Sequence, residues 1–234
     1  MITDELIMNH TLQECLEAFQ GAEGDSVATR ETCVKTVFKI LAKKFLYGGY
    51  FEVRNADNKE VRRVFLHTIE FYYHEENKDG VHDYIVYHRN NDNKKKYPNP
   101  KPPYQTGSLN THVSGIDVAF EDQNPSPAYR ASALIRAFRV QDMTKDNYPL
   151  SPVDRHSTHL YEALFMHHTL SGFSVKWHDY QASELVMKEP FSGVRVNVCQ
   201  FNDDVPENTS PIKLNKSFVQ DPRKWSFSIE PFEN

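Results

Sequence analysis

The sequence predicts a mixed α/β (α+β) domain built on a mainly antiparallel sheet. Three observations carry that prediction. Alternating β-branched and aromatic runs recur along the chain, as in Ile116-Asp117-Val118-Ala119-Phe120 and Trp225-Ser226-Phe227-Ser228-Ile229. Helical spacing is confined to a few stretches, the clearest being Val34, Val37, Phe38, Leu41, Ala42 and Phe45. Most connections between strand-like runs fall short of the roughly dozen residues that a parallel crossover needs. A chain of 234 residues, 39% of them hydrophobic, suits one domain with a full core.

In chain order, a short helix is expected over residues 12–19 and a loop over 21–26. The main helix starts near Thr29 and stops at Gly48-Gly49. Strands over 50–54 and 61–75, joined by the turn Asn55-Ala56-Asp57-Asn58, form a β-hairpin. A short strand is expected over 84–87. Residues 89–104 hold three successive lysines and four prolines, which no regular element accommodates. Two strand pieces flank Ser114-Gly115, and a further strand covers 132–140. A helix is read over 156–170. Val194, Val196 and Val198 alternate as a strand, and Trp225, Phe227 and Ile229 as the last one. Residues 1–28 are read as an N-terminal extension and 29–234 as the domain proper.

Composition narrows the function. Net charge is −5, which argues against coating nucleic acid by electrostatics alone but leaves room for a local basic patch. The basic residues Arg89, Lys94, Lys95, Lys96 and Lys101 face only Asp92 within the Lys/Pro loop. They form either a solvated surface loop or a phosphate-contacting one. Cys15, Cys33 and Cys199 are too few and too dispersed for a disulfide framework or a zinc site, which points to reduced thiols and a cytoplasmic protein. The N-terminus lacks the pattern of a signal peptide, and no apolar run reaches the ~18 residues of a membrane span. No phosphate-binding glycine loop, serine-hydrolase elbow or metalloprotease motif is present. The eleven histidines raise a metal site as a further possibility, without a ligand spacing to support it.

The chemically informative residue is Glu70, inside Val64-Phe65-Leu66-His67-Thr68-Ile69-Glu70-Phe71-Tyr72-Tyr73-His74. Strict alternation places Leu66, Thr68, Glu70, Tyr72 and His74 on one face. A carboxylate so placed needs a partner, because burying an unpaired charge is costly. Arg136, expected to share a face with Leu134 and Phe138, is the natural candidate. Such a pair is either a structural ion pair or a general base with the group that orients its water.

The order of short motifs resembles the methylpurine (3-methyladenine) DNA glycosylase family of the alkyladenine glycosylase type. The stretches concerned are Leu41-Ala42-Lys43-Lys44-Phe45-Leu46, Thr68-Ile69-Glu70-Phe71-Tyr72, Gly107-Ser108-Leu109, Ala133-Leu134-Ile135-Arg136-Ala137-Phe138 and Arg223-Lys224-Trp225-Ser226-Phe227-Ser228-Ile229. The resemblance implies a curved sheet with flanking helices. It implies that Glu70 activates a water, that Arg136 helps to hold it, and that Tyr72 stacks on an extruded base, with His82 and His112 lining the pocket. The activity implied is hydrolysis of the N-glycosidic bond of alkylated purines in DNA after base flipping, with no metal or other cofactor. The chain departs from the family at the hairpin tip Val113-Ser114-Gly115-Ile116, where a bulky wedge is usual, and at His112, which replaces a stacking tyrosine. These departures and the acidic net charge support the alternative of a non-catalytic module that binds a nucleobase, a nucleotide or a protein.

Overall fold

The computed structural model describes residues 9–83, 85–86, 101–112, 114–166, 173–181, 187–195, 199–200 and 219–232. Helix α1 spans Leu12–Glu17, and α2 spans Val27–Tyr47. They are followed by β1 (Gly49–Arg54), β2 (Glu60–Glu75), β3 (Leu109–His112), β4 (Gly115–Ala119) and β5 (Tyr129–Asp142). Helix α3 (Ser157–Tyr161) runs on as a π-helical turn, Glu162–Met166. The remaining strands are β6 (Ser174–Asp179), β7 (Phe191–Gly193), β8 (Cys199–Gln200), β9 (Val219–Gln220) and β10 (Ser226–Ser228).

Local chemistry explains the helix ends. The Thr11 hydroxyl accepts from the Glu14 N–H while the Glu14 carboxylate accepts from the Thr11 N–H, a capping box that starts α1. Ser26 caps α2 by accepting from the Thr29 N–H. The far end of α2 is fixed by close packing. A Cβ on Gly49 would lie 2.1 Å from the His178 carbonyl oxygen, so β6 approaches as only a glycine permits.

The strands form a curled antiparallel sheet in the order β3-β4-β5-β2-β1-β6, as the short connections predict. β2 is its spine. β5 pairs along nearly its whole length on one edge. The other edge is divided between β1, opposite residues 60–64, and β10, opposite residues 68–70. β7 extends the branch through β10, and β8 and β9 pair separately. Helix α2 lies on one face. There Phe38 stacks on Phe71 with ring centroids 4.6 Å apart and meets Phe120 and Trp225 edge-on. Leu12, Cys15, Leu16 and Phe19 belong to the same core cluster, so part of the segment before residue 29 is core rather than appendage.

One feature of β2 overturns the strict alternation expected from sequence. Leu66 pairs with Phe138, Thr68 with Ala137 and Ile69 with Ile135, so His67 is an extra residue on β2 and Arg136 an extra residue on β5. Each insertion reverses the phase of its strand. The core face of β2 therefore reads Val64, Leu66, then Ile69, Phe71 and Tyr73. On β5 it reads Ala131, Ala133, Ile135, then Phe138. Leu66 does not share a face with Glu70, and Phe138 does not share one with Arg136. Other expectations are also corrected. Ile85 and Val86 form a turn rather than a strand, and Tyr84 and Tyr87 lie outside the described residues. The helix expected over 156–170 is regular only to Tyr161, and residues 167–170 lie outside the described set. β7 ends at Gly193, before Val194, while Val196 and Val198 lie outside the described residues.

Candidate active site

With α2 covering one face, the second face of the sheet carries its polar residues. In-register pairing puts Asp117 of β4 beside Leu134 of β5, which lies beside Glu70 of β2. Paired residues point the same way. Adjacent strands lie about 4.8 Å apart, so Glu70 and Asp117 stand roughly 10 Å apart with Leu134 between them. One step along, Tyr72 pairs with Ser132, and beyond it His74 with Arg130.

Glu70 is 1% exposed, and two groups converge on its Oε2. Arg136 Nε lies at 3.2 Å and the Tyr72 hydroxyl donates at 3.0 Å. The compensating bulges explain the first contact: the insertion at Arg136 swings its guanidinium towards the carboxylate two residue pairs away. Glu70 thus has both a counterion and a hydrogen-bond donor, the conditions under which a carboxylate tolerates burial. Burial, with Glu70 next to it, pushes the Tyr72 phenol well above its ordinary range, so this hydroxyl keeps its proton and remains a donor.

Tyr72 has a second neighbour that sequence reasoning missed. Arg195 is fully buried, with its guanidinium 4.7 Å from the Tyr72 ring centroid and 5.2 Å from that of Trp225. It donates to Asp83, to Asp221 at 2.7 Å and to the Phe71 carbonyl at 3.1 Å. Arg223 completes the cluster by pairing with Asp221 and covering the other aromatic, Trp225, at 4.4 Å. Burial acts to raise the Asp221 carboxyl, but the hydrogen bond and charge of Arg223 and the charge of Arg195 outweigh it and hold the group below the usual carboxylate range. Three segments distant in sequence supply this clamp. No local motif marks it, apart from two acidic residues and two arginines in otherwise loop-like stretches.

His112 lies on the far side of Leu134 from Glu70. The Ser114 N–H donates to its Nδ1 at 3.2 Å, which assigns the ring proton to Nε2. Nε2 lies 3.1 Å from Asp117 Oδ1, and the Ser132 hydroxyl donates to Asp117 Oδ2 at 3.2 Å. The hairpin carrying them closes through Gly115, whose φ of +142° a side chain would strain and whose Cβ would meet Leu134 at 3.0 Å. The face therefore presents a carboxylate–arginine–tyrosine group and a histidine–aspartate pair on either side of one leucine. The first group is a buried carboxylate held by a guanidinium and a phenol. The second is an imidazole whose two nitrogens face the Ser114 N–H and the Asp117 carboxylate.

The other expected site residues are placed differently. His82 stacks on His74 at 5.2 Å, with Nε2 2.7 Å from the Asn77 carbonyl oxygen, at the end of the polar face beyond Tyr72. Tyr72, expected to stack on a base, has one ring face covered by Arg195. The Lys101 carbonyl accepts from Arg130 Nη2 at 2.6 Å, which ties the end of the Lys/Pro loop to β5. Arg89, Lys94, Lys95 and Lys96 lie outside the described residues. Burial pushes the Cys15 thiol up to about 11, so it carries no thiolate at neutral pH. Among the described residues no three histidine, cysteine or acidic side chains are grouped to hold a metal ion, and no helix is long and apolar enough to cross a membrane. No family model, curated protein or solved structure matches this chain.

Proposed function

We propose that this chain is an N-glycosyl hydrolase acting on alkylated purines in DNA, with Glu70 as its general base. The observation that carries the reading is the convergence of Arg136 and Tyr72 on one oxygen of a buried carboxylate, on the face of the sheet turned away from the core. Glu70 takes a proton from water as the water oxygen bonds to the sugar C1′. The C1′–N bond breaks and its electron pair leaves with the purine. An alkylated purine is cationic and departs neutral, so little acid assistance is needed. Arg136 keeps Glu70 anionic and fixes its direction, and Tyr72 holds the carboxylate plane by its hydrogen bond. The reaction needs no metal or cofactor. The test is release of 3-methyladenine or 7-methylguanine from alkylated DNA, with Glu70→Gln expected to abolish release while DNA binding persists.

A second reading rests on a different observation. At 1% exposure Glu70 meets water only if Arg136 or Tyr72 moves, and Arg195 holds Tyr72 in place. A non-catalytic module would keep this arrangement as a rigid floor for a bound nucleobase or nucleotide. It would bind such a ligand and leave no abasic sites in any damaged substrate.

A further inference from the structure

Beside Arg136, on the side of the β3–β4 hairpin and α3, lies a small polar cavity of about 80 Å³. Ser114, Arg136, Arg155, His156 and Ser157 line it above apolar side chains. Its size is informative. Water occupies roughly 30 Å³ per molecule in the liquid, so the cavity has room for a tetrahedral oxyanion. It is far below the ~300 Å³ at which pockets for drug-sized organic ligands begin, so it does not admit a purine.

Its charge is informative as well. No acidic side chain lines it. Asp154, the nearest acid in sequence, is engaged: Oδ1 accepts from the His156 N–H at 2.8 Å and Oδ2 faces His159 Nδ1 at 2.8 Å. The ion pair of Arg136 uses Nε, and among the described residues the guanidinium makes no other. The guanidinium of Arg155, which lines the cavity, forms no ion pair among the described residues. A cavity of phosphate size, lined by two arginines, a histidine and two hydroxyls and lacking an acid, is built for an oxyanion.

We infer that this cavity is a phosphate subsite, which holds a phosphate group of the substrate and presents the attached sugar to Glu70 across Arg136. Only the identity of the bound molecule as substrate rests on the hydrolase reading. The phosphate belongs to a mononucleotide or to the backbone of a nucleic acid, and the chemistry of recognition is the same for both.

The test titrates the full chain with inorganic phosphate at constant ionic strength, followed by calorimetry and by phosphorus NMR. Saturable one-to-one binding is expected. Arg155→Gln, at an exposed position that does not threaten folding, should weaken it at least ten-fold, and Lys145→Gln, outside the cavity, should not. Equal binding by Arg155→Gln, or a response that chloride reproduces, overturns the inference. Competition then separates the sources. A deoxynucleoside monophosphate displacing phosphate at lower concentration than a single-stranded oligonucleotide marks a nucleotide site, and the reverse order marks a backbone site. Displacement by neither overturns the inference. Phosphate binding in a chain that releases no base leaves the subsite standing and sinks the hydrolase reading. Base release without phosphate binding does the opposite.

Discussion

Replacing Arg136 with methionine removes the counterion of a carboxylate that is 1% exposed, without leaving a large void. Removing one partner of a fully buried ion pair costs about 3–5 kcal/mol. Arg136 is itself 26% exposed, so solvent already screens part of the interaction. The Tyr72 hydroxyl also continues to donate to Glu70, a charged hydrogen bond that contributes about 1.5 kcal/mol or more. The expected loss is therefore about 2 kcal/mol, or roughly 4–8 °C in Tm for a domain of this size. Glu70→Gln keeps the shape and an acceptor for Tyr72 while removing the charge, and should cost about 1 kcal/mol. With no charge left to compensate, the double variant should lose far less than the sum, giving a coupling of about 1.5 kcal/mol. Urea denaturation of the four proteins measures this directly, with unchanged m values showing that the transition is still the same. Losses that add to within about 0.5 kcal/mol would mean that the two side chains do not depend on each other.

Three further outcomes follow from the same structure. Burial lowers His67, so below pH 6.5 the unfolded chain takes up a proton before the folded one; its contribution to stability is complete above pH 6.5 and is lost as pH falls through the lower folded value. The urea midpoint of the parent should fall from pH 7.5 to 5.5 more steeply than that of His67→Gln, and equal slopes would remove His67 as a cause. Phe38→Ala should cost about 3–5 kcal/mol, because it empties the centre of an aromatic cluster formed with Phe71, Phe120 and Trp225; a loss under 1 kcal/mol by calorimetry would contradict that core. Gly49→Ala should cost about 1–3 kcal/mol, because its Cβ meets the His178 backbone, and an unchanged Tm would show that β6 does not approach β1 as described.

The parts of this molecule that were legible in sequence are those written in local patterns. The α2 stripe, the Gly48-Gly49 stop, the hairpin turn at residues 55–58 and the antiparallel pairing all follow from periodicity, glycine placement and short connections. The pairing of Glu70 with Arg136 was also reachable, because a lone carboxylate and a lone guanidinium on apolar strands need each other. The bulges were not. A β-bulge inserts a residue without changing composition, so His67 and Arg136 look like ordinary strand positions until their partners are known. Only the bulges explain why Leu66 faces the core while Glu70 faces away from it. The Arg195 clamp was equally hidden, since Asp83, Arg195 and Asp221 meet only after the chain has folded. Nor does sequence distinguish a tyrosine that stacks on a ligand from one that, like Tyr72, donates to a carboxylate beneath a guanidinium.

Glu70 is either a base, as proposed, or only half of an ion pair. Counting abasic sites formed in alkylated DNA by the parent chain and by Glu70→Gln, at matched folding stability, tests this most directly. If Glu70 is the base, the parent leaves abasic sites and Glu70→Gln leaves none above background. Equal numbers from both proteins, or none from the parent on any alkylated substrate, would contradict it.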